Sequence, residues 1–350
     1  MNLRELGPSG ISVHPIGIGC WAYGGGGYWG AQSQEAVDAV VRTALDKGTF
    51  LFDTAEMYND GASEAALGLA LKGRRDEAVI CSKISPSNAR PADLRAHCEA
   101  SLKRLGTDRL DIYMLHWPIS PKSIQHFTDN PEIIANPPSV PEAFDTLMAL
   151  RKEGKIREIG VSNFGVQQMQ EALATGAVIA VNELPYNLVS RAIEKEIAPF
   201  CEANGITIIA SMALQQGLLA GIYAKPEDVP PHQAHSRHFA QERGRGTSRH
   251  YEQGAEEEVF AAVAQVRQIA QELGVSMAQL SIAWALAKPG IGCALVGARR
   301  VHQLLENLAA ADLILTDATL QRVDEAGEPA LQKLGHNPDY YENSAHGRIR

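Results

Sequence analysis

The sequence predicts a (β/α)8 barrel, an α/β fold in which eight parallel strands alternate with helices around one closed sheet. Short apolar runs alternate with helical patterns along the chain, and eight such units can be counted. Sequential alternation of strand and helix makes a parallel sheet, and eight units close it into a barrel. The 350 residues fit one barrel with insertions and contain no linker-like stretch, so residues 1–350 are expected to form a single domain.

The eight strands are predicted from short apolar runs at 13–20, 50–53, 78–83, 110–115, 156–161, 179–182, 206–210 and 293–296. Helices are predicted where apolar residues recur every three or four positions, at 33–47, 63–71, 91–105, 141–153, 166–175, 194–204, 257–273, 277–287 and 301–310. The third of these begins with Pro91, a residue that suits the first helical turn. A doubly wound open sheet is the alternative fold, because the sequence does not reveal the spatial order of the strands.

Two long insertions and a C-terminal tail extend this alternation. The insertions cover residues 118–140 and 222–256 and are rich in proline, histidine, glycine and charge, and the tail covers residues 331–350. Both insertions follow strands, so on a barrel they are expected to lie over the C-terminal face, where the active sites of barrels are found. The tail is expected to fold back over the same face.

The composition argues against several classes of function. Apolar residues make up 45% of the chain and charged residues 21%, which is typical of a globular protein. The net charge of −9 argues against nucleic acid or an anionic membrane as a partner, because no basic excess is present to neutralise phosphates. The five cysteines are scattered without a CxxC pair, and no metal site is predicted. A cytoplasmic location is expected, since no signal peptide or membrane-spanning run is recognisable.

Polar residues stand at the ends of the second, third and fourth predicted strands. Asp53 ends the second strand, Tyr58 follows in the next loop, Lys83 ends the third strand and His116 follows the fourth. On a parallel barrel these positions are neighbours around one rim, so the four side chains can converge. Lys83 is otherwise difficult to explain at the end of VICSK, since charged residues are seldom buried without a partner.

Together the four residues suit the protonation of an oxygen atom. A free tyrosine has a pKa of about 10, and a nearby Lys83 ammonium would lower that pKa while Asp53 holds the lysine. His116 could orient a carbonyl oxygen or share the phenolic proton. No side chain supplies a hydride, so a nicotinamide cofactor is implied. Each residue alone has an ordinary structural explanation, but their joint order on consecutive strand ends favours catalysis.

Five segments resemble the signature segments of the aldo-keto reductase superfamily, in matching order: FDTAEMYNDGASEAALGLAL, VICSK, LDIYMLHWP, GKIREIGVSNF and GARRVHQLLENL. The resemblance extends over about residues 7–313. It implies a catalytic tetrad of Asp53, Tyr58, Lys83 and His116, with Tyr58 as the general acid. All four residues are present, so an active NAD(P)-dependent oxidoreductase is expected.

The resemblance also implies where a nicotinamide dinucleotide would bind. Ser162 and Asn163 would hold the carboxamide, with Cys20, Trp21 and Asp53 close by. The pyrophosphate and adenosine would be contacted by residues of two later segments, namely Leu214, Gln216, Gly217, Gly297, Arg299, Gln303, Glu306 and Asn307. This arrangement does not use a Rossmann fold, because the formal GxGxxA match in GIGCWA is followed by a glycine-rich loop instead of a helix.

Two arginines at the start of the last predicted helix indicate which dinucleotide is bound. Arg299 and Arg300 stand beside the positive end of the helix dipole, which is unfavourable for cations unless an anion binds there. The 2′-phosphate of NADP(H) would explain the pair. NADP(H) is therefore predicted in preference to NAD(H).

Two further cofactor contacts depart from the pattern of the family. Glu183 stands where relatives usually have glutamine, and its carboxylate can accept from the carboxamide nitrogen but cannot donate to the carboxamide oxygen. Ser211 stands where many relatives stack a tyrosine on the nicotinamide. Cofactor affinity or the preference for one redox state is therefore expected to differ from that of relatives.

A substrate pocket is predicted beside the tetrad, with an apolar wall of aromatic side chains. Its predicted contacts are Trp21, Tyr23, Trp29, Tyr58, His116 and Trp117. The leading function is the NADPH-dependent reduction of an aldehyde or ketone to an alcohol. Sugar or alcohol oxidation by the same site, and a nicotinamide-binding accessory or sensor subunit, are the alternatives. No sequence pattern points to one substrate or one oligomeric state.

Overall fold

The computed structural model describes residues 3–48 and 51–350, and within them eight parallel strands close into a barrel in chain order. The predicted (β/α)8 fold is therefore confirmed, and the doubly wound alternative is wrong. The strands are β1 Ile16–Gly19, β2 Leu51–Asp53, β3 Val79–Ile84, β4 Leu110–Leu115, β5 Ile156–Ser162, β6 Ile179–Pro185, β7 Thr207–Ser211 and β8 Ile291–Gly297. Residue 50, the first of the predicted second strand, lies outside the described residues.

The principal helices surround the barrel: α1 Gln34–Asp46, α2 Ala62–Ala70, α3 Pro91–Leu105, α4 Val140–Lys152, α5 Val166–Ala174, α6 Ile197–Ala203, α7 Glu256–Leu273, α8 Met277–Leu286, α9 Val301–Leu308 and α10 Asp317–Leu334. The last of them, α10, was not predicted from the sequence. It includes Pro329 and packs against α7, and it buries Val323, Ala326 and Ala330. The predicted tail, which begins at residue 331, therefore starts within the last turn of this helix.

An N-terminal hairpin that the sequence analysis did not predict closes the bottom of the barrel. Its two strands, Arg4–Glu5 and Ser12–Val13, are antiparallel. The Arg4 guanidinium donates to the carbonyl of Ile291 over 2.7 Å, and the amide of Gly7 donates to Thr207 Oγ1 over 2.7 Å, so the hairpin is fixed at the N-terminal ends of β7 and β8. The C-terminal ends of the strands are left to form the other face.

The insertions follow the C-terminal ends of β4 and β7, and the tail contacts both of them. The first insertion contains two short helices, Pro121–Ile124 and Pro131–Ala135. The tail is joined to the second insertion by Arg237, which donates from its guanidinium to the carbonyl of Leu334 and from its amide to the carbonyl of Tyr340, each over 2.7 Å.

A buried ion pair within the tail continues this contact toward the first insertion. Arg348 donates to both carboxylate oxygens of Asp339, and its guanidinium lies 3.8 Å from the centre of the Trp117 ring. The side chain of Gln168, on α5, donates to the carbonyl of Arg348 over 2.8 Å. The tail therefore crosses the face from the second insertion to the loops after β4 and β5.

No helix in the described part of the chain is long and apolar enough to cross a membrane. Across residues 3–48 and 51–350 there is also no group of three or more histidine, cysteine or acidic residues arranged to hold a metal ion. All five cysteines are described, and all are buried free thiols.

Candidate active site

The centre of the candidate site is the fully buried side chain of Lys83, at the C-terminal end of β3. Its ammonium forms an ion pair with Asp53, from β2, and lies 3.3 Å from Glu183 Oε2, on β6. The same nitrogen donates to the hydroxyl of Tyr58 over 3.4 Å and to the carbonyl of Thr54 over 3.2 Å. The structure thus brings together Asp53, Tyr58 and Lys83, which the sequence analysis grouped, and adds Glu183 as a second carboxylate.

The loop between β2 and α2 holds Tyr58 at this position. Asn59, Asp60 and Gly61 all have positive φ angles, of 51°, 53° and 84°, so the chain turns sharply after the tyrosine. The side-chain amide of Asn59 donates to the carbonyls of Trp21 and Tyr23 over 2.9 and 2.8 Å. The loop is therefore fixed to the neighbouring segment that follows β1.

A carboxylate fixes the other side of the same loop. Glu56 accepts hydrogen bonds of 2.9 Å from the Ser85 amide and the Asn88 side chain, and its second oxygen lies 2.7 Å from His97 Nδ1. The imidazole of His97 has a raised pKa because of its hydrogen bond to Glu56. These contacts join the tyrosine loop to the segment after β3, so Tyr58 is held between two neighbouring units.

Burial raises the pKa of Tyr58 above its ordinary value. Lys83 opposes this effect, but the negative charges of Asp53 and Glu183 reinforce the effect of burial. Lys83 therefore acts in the predicted direction, but the net shift of the Tyr58 pKa is upward because burial outweighs the ammonium. The phenol consequently keeps its proton over the physiological pH range and can donate it.

His116 lies at the end of β4, with its ring centre 5.6 Å from that of Tyr58 and the ring planes at 76°. Burial and the Lys83 ammonium lower its pKa well below the ordinary value, so the imidazole is neutral near pH 7. Its buried Nδ1 has no hydrogen-bond partner among the described residues. The carbonyl of His116 accepts from the Asn163 side chain over 3.1 Å, which connects β4 to the end of β5.

Glu183 is 4% exposed, and burial together with the nearby charge of Asp53 raises its pKa to about 8. Its Oε2 atom lies close to Lys83 but accepts no hydrogen bond from any described residue. The backbone carbonyl of Glu183 accepts from the amide of Asn163 over 2.9 Å, so this carboxylate is beside the predicted carboxamide contacts Ser162 and Asn163. Both of these residues are buried at the end of β5, and the side chain of Asn163 donates to Ser162 Oγ over 3.0 Å.

The loop after β7 has an unusual backbone. Met212, Gln215 and Gln216 have φ angles of 56°, 43° and 52°, and Gly217 follows at 99°. Non-glycine residues with positive φ are uncommon and cluster at functional sites, and successive amides in such conformations can converge on an anion. This conformation is compatible with the predicted pyrophosphate contacts at Leu214, Gln216 and Gly217; Ser211 is half-buried at the end of β7.

In the segment after β8, Arg299 does not have the contacts predicted for it. The Arg299 guanidinium donates to the carbonyls of Trp29 and Ala31 and to the side chain of Gln32, so it holds the glycine-rich loop instead of an open phosphate site. Arg300 is exposed, and its guanidinium makes no hydrogen bond or ion pair with the described residues. Arg300 is therefore the better placed of the two arginines to meet a 2′-phosphate.

The other predicted adenosine contacts lie around the same helix start. Gln303 accepts from the amides of Arg299 and Arg300 over 3.0 and 3.1 Å, which takes up two of the amides at the start of α9. Glu306 is exposed and Asn307 is buried. Gly297 pairs with Gly19 across the seam between β8 and β1, so no side chain stands between these strand ends.

An aromatic cluster lies beside Tyr58 in the glycine-rich loop. Trp21 is stacked on Tyr28 with ring centres 4.8 Å apart, contacts Trp29 edge-on at 5.3 Å and lies 5.9 Å from Tyr58. The Tyr28 hydroxyl donates to Gln216 and so connects this loop to the loop after β7. Tyr28 is not among the residues predicted from the sequence, although its position beside Trp29 in YGGGGYWG is a usable signal.

Two predicted contacts in this region are wrong. The side chain of Tyr23 is fully buried in the core and does not face the mouth of the barrel. The thiol of Cys20 is also fully buried and donates to the carbonyl of Ile18, so it is not available to a ligand. Trp117 is half-buried beneath Arg348, which places it under the tail.

The chain is similar to known proteins in both sequence and fold. The sequence matches the Aldo/keto reductase family over residues 15–328. Aldo-keto reductase YhdN of Bacillus subtilis is 32% identical over 317 residues, covering 87% of each chain. The NADH-specific methylglyoxal reductase of Escherichia coli is 30% identical, covering 95% of this chain and 100% of its own. An aldo-keto reductase of Klebsiella pneumoniae, solved in complex with NADPH, aligns with a TM-score of 0.71 at 26% identity, covering 100% of this chain and 99% of its own.

Proposed function

Because the chain belongs to the aldo/keto reductase family, we propose that it reduces an aldehyde or ketone to an alcohol with NADPH, using Tyr58 as the general acid. The chain is an aldo-keto oxidoreductase by its family and its relatives. The observation that carries the finer proposal is the buried cluster in which Lys83 contacts both Asp53 and the Tyr58 hydroxyl.

The described residues fit a nicotinamide dinucleotide. Two buried polar atoms at strand ends, His116 Nδ1 and Glu183 Oε2, have no hydrogen-bond partner among the described residues. The loop at residues 212–217 has successive positive φ angles, as anion-binding turns often do, although its Gln215 and Gly217 amides donate to the carbonyls of Met212 and Leu214. Gly19 and Gly297 leave the rim between β1 and β8 free of side chains. When bound, the reduced nicotinamide supplies the hydride for the carbonyl carbon.

Each tetrad residue then has one task in the reduction. Tyr58 gives its proton to the carbonyl oxygen as that oxygen gains charge. Lys83 stabilises the phenolate that remains, and Asp53 keeps the lysine charged and in place. His116 is neutral, so one ring N–H donates a hydrogen bond that orients the carbonyl oxygen without competing as an acid.

The protonated phenol of Tyr58 suits the acid role that reduction requires. A phenol that holds its proton is ready to act as an acid, whereas alcohol oxidation requires the phenolate as a base. The relative that is a methylglyoxal reductase suggests small dicarbonyl compounds as first candidates for the substrate. A screen that follows NADPH consumption with methylglyoxal, other aldehydes, ketones and sugars tests the proposal, and an absence of turnover despite cofactor binding would favour a sensor subunit.

Replacing Arg300 with alanine is expected to raise the KM for NADPH about tenfold and to leave the KM for NADH unchanged. The reason is that only NADPH carries the 2′-phosphate that this exposed guanidinium is proposed to meet. Steady-state kinetics with both cofactors measure the ratio.

Arg299→Ala is the informative comparison, because Arg299 holds the glycine-rich loop. Its loss is expected to weaken both cofactors alike. An equal loss of NADPH and NADH affinity in Arg300→Ala would contradict the assignment of Arg300 to the 2′-phosphate.

A further inference from the structure

Two carboxylates share one ammonium in the core of the site. Asp53 forms an ion pair with Lys83, and Glu183 Oε2 lies 3.3 Å from the same nitrogen. Asp53 and Glu183 are each 4% exposed, and Lys83 is fully buried. One lysine can neutralise only one carboxylate, and an unpaired charge is costly in a buried place.

The titratable groups around Glu183 keep fixed protonation states near pH 7, so Glu183 is the group of the cluster that can gain or lose a proton. Asp53 on β2, Lys83 and Cys81 on β3, Tyr58 on the loop after β2 and Cys293 on β8 are the titratable neighbours among the described residues. Burial raises the pKa of both thiols and of the phenol, so these three groups stay neutral. Lys83 and Asp53 form a neutral pair, and the remaining carboxyl group holds a proton near pH 7.

The same carboxyl group lies close to where the nicotinamide must bind. The proton from Tyr58 and the hydride enter the two atoms of one carbonyl bond, so the nicotinamide must approach within reach of the Tyr58 hydroxyl. Glu183 is separated from that hydroxyl by only two successive contacts, of 3.3 Å to Lys83 and 3.4 Å onward to Tyr58. Its Oε2 atom is buried and accepts no hydrogen bond from the described residues, so a change of charge on a nearby ring acts on it through a medium of low dielectric constant.

We propose that Glu183 discriminates between the oxidised and the reduced cofactor, losing its proton when NADP+ binds and keeping it when NADPH binds. This inference rests on the proposed function, since it requires a nicotinamide at this site. The oxidised ring carries one positive charge that the reduced ring lacks, and a buried carboxylate stabilises that charge strongly. A glutamine at this position does not ionise, so it could not respond in this way to the charge of the nicotinamide ring.

The proton balance gives the sign of the pH dependence. Binding of NADP+ converts the Glu183 carboxyl group to a carboxylate and releases one proton to the solvent, whereas binding of NADPH releases none. A positive charge lowers the pKa of the carboxyl group, so affinity for NADP+ rises as the pH rises toward about 8 and is constant above it. If the pKa falls by one unit on binding, the affinity for NADP+ rises about tenfold in total across this window.

The test is calorimetric titration of the full-length protein with NADP+ and with NADPH between pH 6 and 9. Each titration is made in two buffers of different ionisation enthalpy, which counts the protons released. The wild type is expected to release up to one proton with NADP+ near neutral pH and none with NADPH. Titration with 2′,5′-ADP, which has the phosphates but no nicotinamide, measures the contribution of the 2′-phosphate itself, whose second pKa is about 6.

Glu183→Gln is expected to abolish the proton release that accompanies NADP+ binding. Its affinity for NADP+ is expected to be independent of pH once the pH is well above about 6, where the 2′-phosphate is fully ionised. Glu158→Gln is the matched control, because Glu158 is also a buried strand glutamate but pairs with Arg151 away from the site. It is expected to behave as the wild type does. Circular dichroism verifies that each variant is folded.

Three results would overturn the inference. Equal proton release with NADP+ and NADPH in the wild type does so without any variant, which protects the test if Glu183→Gln fails to fold. Unchanged proton release in Glu183→Gln does so as well. A wild type that binds neither cofactor refutes the proposed function and this inference together, whereas tight binding of both with no difference in protons refutes this inference alone.

Discussion

Replacing Tyr58 with phenylalanine is expected to lower kcat about 1,000-fold, which corresponds to about 4 kcal/mol of transition-state stabilisation. The reason is that the phenol is the only proton donor that we assign to the carbonyl oxygen. The hydroxyl makes one hydrogen bond, of 3.4 Å from Lys83, among those described, so its removal leaves the packing of the loop intact. Affinity for NADPH is therefore expected to stay within about twofold. Single-turnover kinetics and fluorescence titration measure the two quantities separately.

Tyr113→Phe provides the matched control for that variant. Tyr113 is a fully buried tyrosine on β4 whose hydroxyl has no hydrogen-bond partner among the described residues. Removing this hydroxyl should leave both kcat and the free energy of unfolding close to the wild-type values. If Tyr58→Phe kept a tenth or more of the wild-type kcat, Tyr58 would not be the general acid.

Replacing Lys83 with methionine is expected to abolish measurable turnover and also to destabilise the fold. Without the ammonium, the phenolate left by proton transfer loses its stabilising charge, and a loss of more than about 100-fold in kcat is expected. Asp53 and Glu183 are then buried without a cation. Removal of one partner from a buried ion pair costs about 3–5 kcal/mol.

The destabilisation of Lys83→Met should depend on pH. Burial without the ammonium raises the pKa of both carboxyl groups in the folded state above their unfolded values, so the folded variant binds more protons than the unfolded chain. Its free energy of unfolding therefore falls as the pH rises from about 4 through the raised values. Urea unfolding followed by circular dichroism should show a larger deficit at pH 8 than at pH 5.5.

A second substitution separates the structural effect of Lys83 from its catalytic effect. Lys83→Met combined with Asp53→Asn removes the carboxylate that the lysine neutralises, so part of the lost stability at pH 8 should return. Activity should stay absent, because the phenolate still has no ammonium. A double variant that is as unstable as Lys83→Met would indicate that the destabilisation comes from lost packing and not from unpaired charge.

Local signals allowed much of the fold to be predicted. The helix Pro91–Leu105 and the strand Leu110–Leu115 agree residue for residue with their predictions. The helix has a proline in its first turn and ends at Gly106, whose φ angle is 65°, so both of its ends are marked in the sequence. The helix Asp317–Leu334 was missed because Pro329 interrupts its pattern.

The residues that form the site could be predicted from the sequence more reliably than the directions of their pKa shifts. Asp53, Tyr58 and Lys83 come together because parallel strand ends share one rim, and the order of the strands follows the chain. Lys83 lowers the pKa of Tyr58 as predicted, but burial, together with the charges of Asp53 and of Glu183 from β6, raises it overall. The direction of a pKa shift depends on every charge within a few ångströms and on burial.

The roles of individual rim residues were likewise decided by long-range contacts. Arg299 was expected at a phosphate, but the structure uses it to hold the glycine-rich loop, and Tyr23 was expected at the mouth but is buried in the core. Neither difference is visible locally, because each side chain meets a partner that lies far away in the sequence.

The sequence by itself determined the eight alternating units and the four polar residues at consecutive strand ends, since these depend on periodicity and on order along the chain. Only the tertiary structure decided that Lys83 serves two carboxylates, that Arg299 holds a loop and that the tail crosses from the second insertion to Trp117. Those facts depend on distances between atoms that the fold brings together, and on the burial that gives each charge its weight.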